Sequence, residues 1–232
     1  MSPIDKNVKS HEKLFSEILL NGAREIHISL PNDIVGMFEK YMQELRKWNS
    51  KINITRIHDD LGIVVKHFID SISPSRYIPS YASILDIGSG GGFPGIPLKI
   101  VNPTIRVTLL ESTLKKVNFQ KHIIRVLKLD KIVAIHGRAE DHELYKRIDL
   151  PFDVVISRAF SDLKNFLEVA EPYVKRRGRI IAMRGRDVRE EILENKEKIE
   201  NLKLQVDDVN EFYLPYVKEK RSIIVFSKNQ LR

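Results

Sequence analysis

An open α/β fold is what this sequence predicts: a Rossmann-like seven-stranded sheet, its last strand antiparallel, behind an N-terminal helical extension. Three observations carry that expectation. In Ile84-Leu85-Asp86-Ile87-Gly88-Ser89-Gly90-Gly91-Gly92-Phe93-Pro94-Gly95 a short apolar run enters a glycine-dense turn. Ile96-Pro97-Leu98-Lys99-Ile100-Val101 then reads as a helix start, with Pro97 in a first turn that tolerates it. Downstream of Gly92, strand and helix patterns alternate, as in a parallel sheet covered on both faces. The chain closes on two strand patterns joined only by a short basic loop, Val217 to Arg221, which makes them a hairpin.

Taken in order, Ile34, Phe38, Tyr41, Leu45 and Trp48 fall on one face of a 3.6-period helix opened by Pro31-Asn32-Asp33. Trp48 reads as a packing anchor. A second helix is expected over Leu61 to Ser71, and Pro74 to Ser80 connects it to the sheet. The strands are expected at 84–87, 107–111, 132–135, 153–157, 179–183, 204–213 and 222–227. Residues 1–80 thus form the helical extension and 81–232 one compact unit.

The chain has 232 residues, the size of one α/β domain with an addition. It holds no cysteine, which excludes disulfides and thiolate zinc sites, and no metal site is expected. The apolar runs are strand-length, far short of a membrane span, and residues 1–20 lack a signal-peptide apolar core. A soluble, monomeric, cytoplasmic protein is expected, without a membrane partner. With 39 Lys+Arg against 31 Asp+Glu, the net charge of +8 favours a polyanionic partner.

Glycines at the first strand end let the backbone take φ > 0 and let a ligand approach without meeting a Cβ. Two registers fit. Gly90, Gly92 and Gly95 match the dinucleotide spacing G-x-G-x-x-G, while Gly88, Gly90 and Gly92 match the D-x-G-x-G-x-G of class I S-adenosylmethionine-dependent methyltransferases. Asp86 favours the second register, because a carboxylate there can face the ammonium of a methionine moiety and would repel a pyrophosphate. Pro94 removes a backbone donor that a phosphate would use. Glu111, ending the second strand, is placed to accept from both ribose hydroxyls, a device shared with NAD proteins. Glu140-Asp141 after the third strand puts an acid near an adenine amino group, or simply an acid pair at a helix N-terminus.

The fourth strand ends at Ser157-Arg158-Ala159-Phe160, the edge that faces a substrate in this sheet. The Asn/Asp-Pro-Pro-Tyr of amino-methylating enzymes is missing. Phe160 offers a ring for a base, or for the core. Arg158 offers a donor to a cofactor carboxylate, a phosphate or guanine O6. Neither is an obvious base, so catalysis by positioning is expected, with no catalytic acid or base.

Trp48-Asn49, Asn53-Ile54-Thr55-Arg56, His67-Phe68-Ile69-Asp70-Ser71, the GGGFPGIP segment, Glu111-Ser112 with Lys115-Lys116, Gly137-Arg138-Ala139-Glu140 and Ser157-Arg158-Ala159-Phe160 follow in one order. Together they resemble the bacterial 16S ribosomal RNA (guanine-N7) methyltransferases of the RsmG/GidB family, from about Ile34 to Gly185. That resemblance implies S-adenosylmethionine as cofactor, and 16S rRNA or the small ribosomal subunit as partner. An RNA-binding protein that keeps the fold without catalysis is the alternative. The resemblance places cofactor contacts at Gly88 and Phe93, at Glu111, Ser112 and Thr113, at Ala139 and Glu140, and at Arg158. It departs from the family at Arg184-Gly185, where the family usually has Lys-Gly. His67 and Asp70 read as a structural His–Asp pair. Lys115, Lys116, Arg138 and Arg184 lie near the strand ends of the cleft and are expected at RNA phosphates.

Overall fold

The computed structural model describes residues 3–145, 148, 150–158, 160, 162–185 and 188–228; Ala159 of the fourth-strand motif lies outside them. The strands are β1 (Ser83–Ile87), β2 (Arg106–Glu111), β3 (Ile132–His136), β4 (Phe152–Ser157), β5 (Val174–Arg184), β6 (Leu204–Tyr213) and β7 (Lys220–Lys228). They form one sheet in the order β3-β2-β1-β4-β5-β7-β6. β1 is parallel to β2 on one side and to β4 on the other, and β7 runs antiparallel between β5 and β6. The order reverses at β1, so the crevice beyond Ile87 is the switch point where such sheets bind ligands.

The helices are α1 (Pro3–Glu25), α2 (Val35–Asn49), α3 (Asp60–Gly62), α4 (Asp70–Ile72), α5 (Gly95–Val101), α6 (Leu114–Val126), α7 (His142–Tyr145), α8 (Leu163–Ala170), α9 (Arg189–Glu194) and α10 (Lys196–Asn201). Between α3 and α4, Ile63–Ile69 is a π-helix, so the helix expected over 61–71 exists with a widened turn at its centre. Widened turns re-aim side chains and recur at functional sites. Here the turn carries Lys66 and His67.

Every residue of β1 is buried, as a strand covered on both faces requires. Alternation divides it: Ile84 packs with Phe38, Tyr41, Leu45, Phe68 and Phe119, whereas Leu85 packs with Val155, Phe166, Leu167 and Phe226. The N-terminal helices therefore share one core with the sheet's first face. Trp48 sits 5.6 Å from Phe119 and 5.0 Å from His122, a packing anchor as expected. α1 was legible only as generally helical; it buries Phe15, Leu19 and Ala23, a stripe of four-residue steps among charged residues. Gly22 belongs to this packing, since a Cβ there would stand 2.4 Å from Ile69 Cδ1.

β5 begins earlier than 179, because its pairing with β4 jumps from Phe152↔Val174 to Val154↔Arg179 and throws Lys175–Gly178 into a bulge. Gly178 fits there because a Cβ would meet Asp153 O at 3.0 Å.

Candidate cofactor and substrate site

The glycine turn is fastened to β2. Gly88 and Ser89 N–H donate to Leu110 O at 2.9 and 3.1 Å, and Gly92 and Phe93 N–H fold back on Ser89 O. Gly88, Gly90 and Gly92 all have positive φ (70°, 57° and 95°), the left-handed region that costs other residues energy. Their surroundings differ. A Cβ on Gly88 would meet nothing within 4 Å, and one on Gly90 only Gly88 O at 3.9 Å. On Gly92 it would stand 2.4 Å from Ile96 Cδ1, and on Gly95 2.4 Å from Leu109 Cδ2. The first two glycines therefore leave space for a ligand, and the last two serve packing. The G-x-G-x-x-G register needs its second glycine, Gly92, open to the ligand, and Ile96 and Tyr41 close that space, so it does not describe this turn.

Asp86 settles the same question electrostatically. It is fully buried, and its Oδ2 accepts from Gly95 N–H at 2.8 Å, occupying the N-terminus of α5 where a pyrophosphate would sit. Its Oδ1 is buried with no hydrogen-bond partner. Burial pushes this carboxyl up to about 7, against the Gly95 N–H and Arg158, which favour its charge. An orphaned buried acid oxygen beside an open glycine cradle fits a cationic ligand group.

Glu111 is buried and already organised: Oε2 accepts from Gly90 N–H at 2.9 Å and Oε1 from Thr113 N–H at 2.8 Å. Each oxygen retains a lone pair for a ribose hydroxyl. Ser112, Thr113 and Glu140 are exposed, while Ala139 is buried with its carbonyl taken by Tyr173 Oη at 2.8 Å. Lys115 and Arg138 are exposed and Lys116 is half-buried, so all three remain accessible to phosphate.

Arg158 is the hub of the substrate side. Nη1 donates to Lys66 O at 2.7 Å, Nη2 lies 3.1 Å from His67 Nδ1, and Asp70 Oδ2 is 3.7 Å from Nη1. Arg221, from β7, donates to the same Asp70 Oδ2 at 3.2 Å. The expected His67–Asp70 pair is thus replaced by two residues that each face Arg158, because a guanidinium at the end of β4 reaches both. Burial, reinforced by the Arg158 charge, pushes His67 down to about 3, so it stays neutral. Phe93 is buried, stacked on His67 at 4.5 Å and on Tyr41 at 5.3 Å, with the Arg158 guanidinium 5.1 Å from its ring. Lys66, His67, Asp70, Arg158, Arg184 and Arg221 line a pocket of ≈ 280 Å³ here.

Two expectations change. Arg184, expected at an RNA phosphate, is 7% exposed, with Nη1 donating to Phe160 O at 2.6 Å and Nε 3.5 Å from Glu191 Oε2. A buried guanidinium held this way braces the pocket wall, so the phosphate expectation rests on Lys115, Lys116 and Arg138. Phe160 is partly buried, 5.4 Å from Phe166, so the core claims part of the ring expected under a base.

Three supports escaped the sequence. Tyr41 Oη donates to Gly91 O, linking α2 to the glycine turn. Gln120 is fully buried and donates to Ser89 Oγ at 2.8 Å and Gly90 O at 2.7 Å. A polar residue midway between Val117 and Ile123 on the buried face of α6 was its signal. Arg221 lay in the basic hairpin segment, with nothing local to mark its reach to Asp70.

A 3-2-1-4-5-7-6 sheet with an open glycine cradle, a buried acid ending β2 and an orphan carboxylate oxygen at its switch point defines a class I S-adenosylmethionine-dependent methyltransferase. Solved structures of similar fold agree. An S-adenosylmethionine-dependent methyltransferase from Aquifex aeolicus aligns with TM-score 0.55 at 17% identity, over 75% of this chain and 95% of its own. TYW2 of M. jannaschii, solved in complex with AdoMet, aligns with TM-score 0.54 at 18% identity, over 70% and 76%. The family model for rRNA small subunit methyltransferase G (GidB) matches residues 35–224, and the chain belongs to that family. Ribosomal RNA small subunit methyltransferase G of Geobacter sp. (strain M21) is 41% identical over 92% of this chain and 97% of its own length. Its counterpart in Caldanaerobacter subterraneus subsp. tengcongensis is 42% identical over 91% and 89%.

The two kinds of glycine separate in experiment. Gly88→Ala and Gly92→Ala each incur about 1–2 kcal/mol for a Cβ at positive φ. Only Gly92→Ala also forces apart Ile96 and Tyr41, so its melting temperature should fall clearly further. Gly88→Ala should instead weaken S-adenosylmethionine binding at least tenfold by calorimetry while melting within a few degrees of wild type. Equal affinities in the two variants would refute the division.

Proposed function

We propose that this chain transfers the methyl group of S-adenosylmethionine to N7 of a guanine in 16S ribosomal RNA, acting as a cytoplasmic monomer. Membership of a family whose members are named for small-subunit rRNA methylation supports the substrate. No helix among the described residues is long and apolar enough to cross a membrane. The observation that carries the choice of atom is the lack of a usable base among the described residues lining the pocket. His67 is held neutral with its pKa near 3, and Asp70 is shared between Arg158 and Arg221. An exocyclic amine must lose a proton on methylation; guanine N7 offers an in-plane lone pair and has none to lose.

When bound, S-adenosylmethionine supplies an electrophilic methyl on a sulfonium. The chain's own contribution is placement. Gly88 and Gly90 give the ligand backbone room, Glu111 accepts from the ribose, and Asp86 Oδ1 receives the ammonium. Arg158, locked by Lys66 O, His67 and Asp70, keeps the pocket wall rigid. Its charge opposes the cation formed on the base, so it serves a cofactor carboxylate or phosphate better than the ring. Lys115, Lys116 and Arg138 hold RNA phosphates.

The test is labelled-methyl transfer to naked 16S rRNA, an assembly intermediate and the mature subunit. Mass spectrometry should place the methyl on N7. The single-turnover rate at saturating cofactor should vary by less than about threefold across neutral pH, since no base titrates. A methyl on an exocyclic amine, or a rate rising tenfold per pH unit, would refute the assignment; no incorporation at all would favour the non-catalytic alternative.

A further inference from the structure

The end of the sheet opposite the cofactor cleft carries cations that the fold itself does not use. β2 starts at Arg106, Lys131 immediately precedes β3, and the β5 bulge holds Arg176 and Arg177. Their neighbours are committed: Lys175 pairs with Asp153 at 2.8 Å, and Arg179 donates to Tyr77 O at 2.9 Å. Arg106, Lys131, Arg176 and Arg177 are exposed, and none makes a side-chain hydrogen bond or a close ion pair among the described residues. Asp130, beside Lys131, is drawn to Lys99 at 3.3 Å.

Two hollows of ≈ 460 and ≈ 430 Å³ run along this end and share Lys175 as a common wall. Among the described residues Asp153 is the one acid lining either, and Lys175 already neutralises it. The Tyr81 ring is 71% exposed at the first hollow, and Val133 is 52% exposed at the second. Tyr81, Lys131 and Arg177 hold φ of 63°, 49° and 65°, where glycine or asparagine is the ordinary choice. These left-handed turns, like those at five other described non-glycine residues, leave the three side chains exposed.

We propose that this rim is a second RNA-contacting surface, with Arg106, Lys131, Arg176 and Arg177 on the phosphate backbone and Tyr81 against a base. The proposal rests on the reading that the substrate is ribosomal RNA. Strands of five or six residues separate the rim from the cleft by about 17–20 Å. One nucleotide cannot bridge that distance, so the rim engages a different segment of the same RNA. A folded rRNA or a subunit particle meets that requirement, and a short stem-loop does not.

The test compares the wild type with R106A/K131A/R176A/R177A, and with a control that removes equal charge elsewhere, R24A/K51A/K196A/K203A. Affinity for a 16S rRNA transcript is measured by fluorescence anisotropy against salt. Each lost phosphate contact flattens the log–log salt slope by about 0.7–0.9, so the rim variant should lose roughly three units of slope and at least tenfold in affinity. R176A/R177A should show about half that change. The control should stay near the wild-type slope, and calorimetric S-adenosylmethionine affinity should be unchanged in all. A rim slope equal to the wild type's, or no flatter than the control's, overturns the proposal. Methyl incorporation by the wild type is scored separately, so failure of the functional reading shows there and not in the slope.

Discussion

Arg158→Ala is expected to lower the melting temperature by about 6–20 °C and to reduce the methyl-transfer rate at least a hundredfold. Removing one partner of a buried ion pair costs about 3–5 kcal/mol, and each kcal/mol is worth about 2–4 °C in a chain of this length. Arg158 qualifies, because its guanidinium meets Lys66 O at 2.7 Å, His67 Nδ1 at 3.1 Å and Asp70 at 3.7 Å, and favours ionised Asp86. Asp70 would be left with Arg221 alone, and its Oδ1 already lacks a hydrogen bond. The pH dependence has a definite sign. Burial raises the Asp70 carboxyl and Arg158 lowers it, so the variant's Asp70 titrates higher still. An acid whose folded pKa exceeds its unfolded value destabilises as pH rises through that interval. The loss should therefore be smaller at pH 5 than at pH 8. Arg158→Lys should recover part of the stability, since a charge is restored, but little of the rate, since an ammonium cannot hold a carbonyl, an imidazole and a carboxylate in one plane. A wild-type melting profile in Arg158→Ala would remove Arg158 from the centre of this site.

What was legible in the sequence follows from which interactions are local. All seven strands were placed because their apolar runs and punctuating glycines act over a few residues, and the hairpin because the Val217–Arg221 connection leaves no room for a helix. The division of labour among the glycines was not legible. Gly88 and Gly92 are equivalent in the string; only Ile96 and Tyr41, against one of them, make it structural. The π-turn at Ile63–Ile69 leaves no mark either, since its apolar residues satisfy an α pattern as well. The Arg158 network joins the π-turn, the end of β4 and the start of β7, partners 87 to 92 residues apart for the hydrogen bonds of Arg158 itself. No local pattern specifies such a meeting. The motif gave the residue types at the site, and tertiary contacts moved Arg184 from a phosphate to the pocket wall and set part of the Phe160 ring against Phe166.

S-adenosylmethionine affinity should rise about tenfold per pH unit below pH 7, reach a plateau near pH 7.5 and fall again above about 8. The rising limb belongs to Asp86. Burial holds its carboxyl near 7, so in slightly acidic solution the ligand-free site carries a proton. Oδ2 is committed to Gly95 N–H, so in the proposed complex the ammonium falls to the orphaned Oδ1, and it can be received well only by the charged form. Binding therefore expels that proton, and below the folded pKa each unit of acidity costs the ligand a factor of ten. The falling limb belongs to the ligand, whose α-amino group loses its charge near 7.7–8.0. Asp86→Asn can keep an acceptor for Gly95 N–H while replacing the charge with an amide donor. At pH 7.5 it should bind about ten- to a hundredfold more weakly, the worth of a charged hydrogen bond of about 1.5–3 kcal/mol. At pH 5.5 variant and wild type should nearly converge, because Asp86 is then protonated too. Calorimetry in two buffers of different ionisation enthalpy reads the proton directly: close to one released at pH 6 by the wild type, none by Asp86→Asn. A wild-type affinity flat from pH 5.5 to 7.5, or a variant with a parallel profile, would show that the ammonium is held elsewhere and that Asp86 serves only to anchor α5.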